Sequence, residues 1–177
     1  MRYVALLRGI NVGGKRKVSM ATLRAVVEGL GPTDVETLLQ SGNVAFTADE
    51  GAAGTLAEEL AIAIEAEFGF SVAVLVRTGA DLDRVIAANP FPDALTEPKF
   101  LHVAFSSRPV RPEALAGIDA ERFAPDQFRV GQDELYLWFP NGSGRSKLTV
   151  HLFERALGAH LTARNWNTVV RLWELLS

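Results

Sequence analysis

Two short, unbroken apolar runs, YVALL at residues 3–7 and VAVLV at residues 72–76, constrain the fold of this chain most. Runs of this length that contain β-branched or aromatic residues are typical of buried strands. Four further patterns lie between them: helical at 19–30, strand-like at 35–40 and 44–47, and helical again at 55–68. The order strand, helix, strand, strand, helix, strand predicts a ferredoxin-like subdomain over residues 1–78.

The two central strand patterns are separated by Ser41-Gly42-Asn43. A Gly-Asn pair between apolar runs is a hairpin signal, because glycine adopts the positive φ that a type II′ turn needs at its first central position. We therefore predict a hairpin whose turn is centred on Gly42 and Asn43.

The second half, residues 79–177, repeats this pattern imperfectly. Its predicted elements are a short helix at 80–88, a strand at 101–105, a helix from 112–116, strands at 128–130 and 134–139, and a helix at 149–157. A helical stripe then begins at Trp166, where the last strand of a complete copy belongs. The fold class is thus α+β, with two related ferredoxin-like subdomains. The second is predicted to be degenerate and to end in a C-terminal helix.

Composition excludes several classes of chemistry. The chain has no cysteine, so disulfides, thiolate metal sites and cysteine nucleophiles are absent. His102, His151 and His160 fall in no metal-ligand spacing, so we predict no metal and no cofactor. The N-terminus lacks a signal-peptide pattern and no apolar run is long enough for a membrane span, which predicts a cytoplasmic protein with no membrane partner.

The net charge of −3 conceals two basic segments, each rich in glycine. One follows the first strand, in RGINVGGKRK at 8–17, and the other follows the predicted strand at 134–139, in PNGSGRSKLT at 140–149. Glycine lets a backbone present its N–H groups to a ligand, and a helix N-terminus favours anions. Neither segment matches a nucleotide-binding fingerprint, so each can also be a structural connection.

Two further segments are ambiguous. Gln40-Ser41-Gly42-Asn43 is explained well by its turn alone. In Thr162-Ala163-Arg164-Asn165-Trp166, Thr162 or Asn165 can cap the last helix, and Trp166 fits the core. The candidate ligand-binding residues are Arg8, Asn11, Gly13, Gly14, Lys15, Ser41, Asn43, Arg145, Lys147, Arg164 and Asn165.

The motifs RGINVGG, QSGN, NGSGRSK and TxRNW, in this order, resemble the bacterial domain-of-unknown-function family numbered 1697. The resemblance implies a compact protein of two related ferredoxin-like subdomains with no established activity. The matching positions are Arg8, Gly9, Asn11, Gly13, Gly14, Ser41, Gly42, Asn43, Gly142, Gly144, Arg145, Lys147, Thr162, Arg164, Asn165 and Trp166.

The residues favour binding of an anionic small molecule, a phosphorylated compound or nucleotide, at a basic, glycine-rich site between the two halves. A metal-free enzyme acting on a phosphate ester is an alternative, although the sequence offers no identifiable nucleophile or base. An RNA-binding module is a weaker alternative, because the isoelectric point is about 5.6 and no aromatic RNA-binding strand is present. A structural or dimerisation role is the fourth, and the sequence predicts no oligomeric state.

Overall fold

The computed structural model describes residues 1–177, and its contacts divide the chain into two units. The first unit comprises residues 1–82 and 172–177, and the second comprises residues 83–171. The division into subdomains 1–78 and 79–177 stays a prediction, and the contact-defined units differ from it at residues 79–82 and 172–177. The chain contains two four-stranded antiparallel sheets and five α-helices, so it is a mixed α and β protein.

The first unit holds one sheet and the two helices packed on it. Its elements are β1 (Arg2–Leu7), α1 (Met20–Gly29), β2 (Thr33–Leu38), β3 (Asn43–Thr47), α2 (Ala53–Phe68), β4 (Val74–Thr78) and the start of α3 (Gly79–Ala87). The strand order is β2-β3-β1-β4, and every neighbouring pair is antiparallel. Each of the six strands and helices predicted between residues 3 and 76 is present, with bounds shifted by a few residues.

The central strand β1 is buried on both faces. Tyr3 and Leu7 pack into the core with Leu23 of α1 and Leu60 of α2. The alternate residues of β1, such as Val4, are equally inaccessible to water. Because both faces of this antiparallel strand avoid water, YVALL has no polar alternation, a pattern more usual in parallel sheets.

The hairpin between β2 and β3 is present, but its predicted turn is wrong. Asn43 is the first residue of β3, and the loop consists of residues 39–42, with positive φ at Leu39 (61°) and Gly42 (82°). The Asn43 side chain is fully buried and donates to the carbonyl oxygen of Leu38 at 2.8 Å. That bond closes a longer loop across the strand ends, so a two-residue turn centred on Gly42 and Asn43 does not form.

The second unit holds the other sheet. Its elements are the end of α3, β5 (Leu101–Ser106), β6 (Gln127–Val130), β7 (Glu134–Trp138), α4 (Val150–Leu157), β8 (Leu161–Asn165) and α5 (Trp166–Leu176) as far as residue 171. Short 3₁₀ turns lie at Pro92–Thr96, Pro98–Phe100, Pro112–Leu115 and Ala120–Phe123. The strand order is β6-β7-β5-β8, and all pairs are antiparallel.

Two predictions for this half are corrected. The predicted helix at 112–116 is a single 3₁₀ turn, Pro112–Leu115. The predicted loss of the last strand is wrong, because β8 pairs with β5 along its whole length before α5 begins. Strand β8 is only five residues long, and two of its three polar side chains, Thr162 and Arg164, are buried on one face. Polar residues at buried positions concealed the strand in the sequence.

The two faces of the second sheet differ in what they carry. On the α4 side, Ala104 and Leu137 pack with Phe153 of the helix. On the opposite face, Val103 lies between its antiparallel partners Tyr136 and Arg164. None of the five helices in the chain has the length and apolar character that crossing a membrane requires.

Candidate functional site

The glycine-rich segment after β1 forms a tight turn. Val12 and Lys15 form an antiparallel bridge, and the Lys15 N–H donates to the Val12 carbonyl at 3.1 Å. Gly13 and Gly14, the two residues between them, have φ of 59° and 73°. Positive φ at both central positions defines a type I′ turn, which favours glycine strongly. The turn therefore accounts for both glycines without a ligand.

Asn11 anchors this turn to the rest of the first unit. Its side-chain amide donates to the carbonyl oxygens of Val18 (3.0 Å) and Gln40 (2.8 Å), and its side-chain oxygen accepts from the Val18 N–H (2.8 Å). Both amide hydrogens are thereby used by the backbone. A ligand contact by Asn11 stays a prediction, and its observed role is to hold residues 11–18 in place.

The basic side chains of this segment face water. Lys15, Arg16 and Lys17 are exposed, and none of them forms an ion pair. Arg16 lies 5.8 Å from the centre of the Phe70 ring, a cation–π contact. Arg8 is half-buried, and its backbone N–H donates to the carbonyl of Ala73 at 3.0 Å. We call residues 12–17 the basic turn.

Ser41 lies in the adjacent hairpin loop, and Asn43 is the first residue of the strand that follows it. The Asn43 amide donates to Leu38 and also to the Ser41 hydroxyl at 3.0 Å. These bonds fix the loop on which Gly42 sits. The structure thus brings Asn11, Ser41 and Asn43 into one region of the first unit, where Asn11 and Asn43 bond to backbone oxygens.

The first unit also has an open groove of about 500 Å³ at the other end of its sheet. Met1 and Leu30 contribute apolar surface, and Asp49 and Glu50 contribute negative charge. The Met1 amino group already donates to the Ala48 carbonyl at 2.7 Å. Two carboxylates repel an anion, so the charge of this larger groove does not suit the predicted ligand.

In the second unit, the segment at 140–149 connects β7 to α4 in an ordered loop. The Ser146 hydroxyl donates to the Asp126 carboxylate and accepts from the Leu148 N–H at 3.0 Å. Thr149 is the N-cap of α4, and its hydroxyl accepts from the Leu152 N–H at 3.4 Å. Thr149 thus has a structural role in this connection, as the cap of the helix that follows.

The cations of this loop are exposed. Neither Arg145 nor Lys147 makes an ion pair, and both side chains project from a backbone that the bonds of Ser146 and Thr149 hold in place. Asp126 is the carboxylate in contact with the loop. With two cations and one carboxylate, the loop and its contact residue have a positive net charge.

A cavity of about 200 Å³ lies beneath this loop, within the second unit. We call it the loop cavity; its lining is His102, Leu137, Phe139, Ser143, Ser146, Leu148, Thr149, Val150 and Ala163. The interior is mostly apolar and the hydroxyl groups come from the loop and the helix cap. A small, mainly apolar recess with a few polar groups is the usual form of a small-molecule site.

His102 is the titratable residue of the loop cavity, and sequence reasoning did not select it. Its ring contacts Phe139 edge-on, with the ring centres 5.3 Å apart. Its Nδ1 is buried and has no hydrogen-bond partner. Burial lowers the pKa of His102, and the nearby backbone of Phe100 opposes this only in part. A histidine within the apolar run LHVAF was the available signal.

Arg164 lies on the other face of the sheet from His102. Its antiparallel partner on β5 is Val103, the residue next to His102. Arg164 is 6% exposed and donates to the Thr162 hydroxyl (2.7 Å) and the Ala163 carbonyl (2.9 Å). Burial lowers its pKa to about 10, so it remains charged at neutral pH. The structure therefore does not bring Arg164 to the loop cavity.

Asn165 caps the last helix, as one reading of the sequence predicted. Its side-chain oxygen accepts from the Thr168 N–H at 3.0 Å and from the Thr168 hydroxyl at 3.1 Å. Ligand contacts by Arg164 and Asn165 stay predictions. So does the prediction that the two glycine-rich segments form one site.

Acid should weaken the fold partly through His102. Its lowered pKa means that, on acidification, the unfolded chain binds this proton at a higher pH than the folded chain. The stability contributed by neutral His102 is full above its ordinary pKa of 6.5 and is lost as the pH falls through the lowered value. In urea unfolding at about pH 7.5 and about pH 5, His102→Gln should therefore lose less stability than wild type.

The exposed His160 provides the control for this comparison. His160→Gln should lose as much stability as wild type between the two pH values. Equal losses in all three proteins would show that burial of His102 does not affect the acid response.

Comparisons with known proteins agree with this description of the fold. No curated protein matches the sequence. Among solved structures, the conserved bacterial protein SP0830 from Streptococcus pneumoniae is similar, with a TM-score of 0.73 and 23% sequence identity. The match covers 99% of this chain and 98% of that one, and at this identity it supports the fold alone. Residues 1–136 match the family described as "Protein of unknown function (DUF1697)", and the chain belongs to that family.

Proposed function

We propose that the second unit binds a small phosphate ester, with its apolar part in the loop cavity and its phosphate at the loop 140–149. One observation carries the proposal: an apolar recess of about 200 Å³ lies directly under a loop with two unpaired cations. An apolar recess alone would favour a neutral ligand. Cations alone would favour any anion. Their combination favours a compound that has both parts.

The size of the cavity limits the ligand. Typical drug-sized ligands occupy pockets of roughly 300–1,000 Å³, so about 200 Å³ is small. A cavity of about 150 Å³ is sufficient for benzene. The loop cavity therefore accommodates one six-membered ring with a substituent, and a complete nucleotide would have to extend beyond it.

The charge of the loop selects the other part of the ligand. Arg145 is suited to phosphate by its planar fork, and Lys147 supplies a point charge. The loop ends at the N-terminus of α4, where the first backbone N–H groups favour negative charge. The Asp126 carboxylate opposes an anion, but it is already bonded to the Ser146 hydroxyl.

Calorimetric titration with phenyl phosphate tests the proposal. Replacing both cations, Arg145→Ala with Lys147→Ala, should weaken binding about tenfold, because two exposed charge contacts of about 0.5–1 kcal/mol each are lost. Phenol, which lacks the phosphate, should bind both proteins equally weakly.

Arg108→Ala with Arg111→Ala is the matched control. It removes the same charge from exposed positions just beyond the C-terminal end of β5, whereas the loop 140–149 follows the strand end paired with Leu101. Binding unchanged in the control and weakened in the first variant supports the site. Equal weakening in both would show that only net charge matters, and the proposal would fail.

We also propose that the fold consists of two related ferredoxin-like subdomains. Both sheets have the order second, third, first, fourth strand within their unit, and this supports two related ferredoxin-like subdomains. In the second, 3₁₀ turns stand where the first has α1. We place the protein in the cytoplasm, where phosphorylated metabolites are abundant.

RNA binding at the basic turn is the second candidate. The specific observation is that Lys15, Arg16 and Lys17 are exposed and unpaired on a backbone that Asn11 holds rigidly. Contacts to a phosphate backbone would weaken steeply as the salt concentration rises. Only three clustered cations and an acidic isoelectric point of about 5.6 place this candidate second.

A further inference from the structure

We infer that His102 selects the ligand of the loop cavity: its imidazole forms a hydrogen bond with an uncharged polar group, a hydroxyl or ring N–H, on the part of the ligand inside the cavity. The inference rests on the proposed function and adds the class of compound. The ligand is a phosphate ester of a single-ring compound whose ring carries a neutral hydrogen-bonding substituent.

The first argument is that His102 has hydrogen-bonding capacity which the protein does not use. Its Nδ1 is buried and has no hydrogen-bond partner. Buried polar groups in folded proteins nearly always have a partner, because an unmade bond costs free energy. We therefore expect the partner of this unpaired ring nitrogen to be a molecule that enters the cavity, because His102 belongs to the cavity wall.

The second argument is that the hydroxyl groups of Ser146 and Thr149, two other polar groups of the cavity, are already engaged. The Ser146 hydroxyl donates to Asp126 and accepts from Leu148, and the Thr149 hydroxyl caps α4. Ser143 is exposed at the surface of the loop. His102 is thus the polar side chain of the lining that is not exposed and still has an unpaired atom.

The third argument concerns charge. Because burial favours the neutral imidazole, His102 is an uncharged donor and acceptor at neutral pH. A neutral imidazole suits a hydroxyl or N–H better than a phosphate, whose charge needs a cation. The phosphate would then bind Arg145 and Lys147. One end of the ligand thus contacts cations, and the other contacts a neutral hydrogen-bonding group.

The position of His102 fixes the direction of this bond. It lies on β5, a central strand paired on both sides, opposite Leu137 on β7 and Asn165 on β8. The edge-on contact with Phe139 restricts the ring further. A donor on a rigid strand discriminates well between ligands that do and do not offer a partner.

Matched probes test the inference on the whole protein. The three isomers of hydroxyphenyl phosphate are each compared with phenyl phosphate, from which they differ by one hydroxyl. At least one isomer should bind wild type about three- to tenfold more tightly than phenyl phosphate, the effect of one additional hydrogen bond. His102→Leu should abolish this preference, measured as the ratio of the affinities of the isomer and of phenyl phosphate for the same variant, and His102→Gln should restore part of it.

The outcomes separate the two proposals. If phenyl phosphate binds through Arg145 and Lys147 but no isomer shows a His102-dependent preference, the inference about His102 is overturned and the proposed function stands. If neither phenyl phosphate nor any isomer binds, both are overturned. A preference that persists in His102→Leu would assign the hydroxyl contact to another residue and would also overturn the inference.

Discussion

Glu134→Ala should lower the free energy of unfolding by about 2–4 kcal/mol, because it removes the buried carboxylate of an ion pair whose Arg84 partner is partly exposed. Glu134 on β7 is fully buried, and both of its carboxylate oxygens lie 3.0 Å from Nη1 of Arg84 on α3. The backbone N–H groups of Gln132 and Asp133 also donate to this carboxylate, at 3.2 and 3.3 Å. Truncation leaves the Arg84 charge and both N–H groups without their main acceptor.

The pair Lys99–Glu97 provides the control in the same unit. Its atoms are 3.5 Å apart, and both side chains are about three-fifths exposed. Glu97→Ala should therefore cost about 0–1 kcal/mol. Urea unfolding followed by tryptophan fluorescence measures both variants. A loss in Glu134→Ala no larger than in Glu97→Ala would contradict the role of the carboxylate in joining α3 to the β6–β7 hairpin.

Gly42→Ala should be the other severe substitution, with an expected loss of about 2–5 kcal/mol. An added Cβ would lie 2.7 Å from Cδ1 of Ile10 and 2.8 Å from Cβ of Leu7, closer than real Cβ atoms approach. Overpacking of this kind costs about 1–3 kcal/mol. The left-handed backbone, with φ of 82°, adds about 1–2 kcal/mol for a residue with a side chain.

Gly51→Ala separates these two costs. Gly51 has φ of 83° and nothing within 4 Å of an added Cβ. It shares the backbone strain and lacks the clash, so it should lose only about 1–2 kcal/mol. The two variants are compared by urea unfolding under the same conditions. Equal losses would mean that Leu7 and Ile10 move aside freely, and the tight packing inferred at this loop would be wrong.

The elements of the first unit show what the sequence could and could not predict. The strand at 3–7 and the helices at 19–30 and 55–68 follow from apolar spacing, which is a local property of the chain. The glycines of the basic turn predicted an unusual backbone conformation. Glycine is equally suited to a type I′ turn and to a loop that binds a ligand. Local sequence could not separate the two.

The missed features depend on contacts between distant segments. Asn11 was selected for an amide that could orient a ligand, whereas its bonds reach the carbonyls of Val18 and Gln40. Strand β8 was hidden because buried Arg164 and Thr162 resemble surface residues in a sequence. His102 was considered as a metal ligand and excluded by its spacing, and only the folded sheet places it beside the loop that follows β7. In each case the role of a polar side chain depends on contacts between segments that are distant in the sequence.

The central claim is that a phosphorylated compound enters the loop cavity. The most direct measurement is a titration of the isotopically labelled full-length protein with phenyl phosphate, followed by amide and histidine side-chain NMR shifts. The predicted result is a set of saturable shifts at residues 142–150 and at the His102 imidazole. The absence of shifts at these residues would contradict the claim. Shifts concentrated at the basic turn would also contradict it and would place the anion site in the first unit.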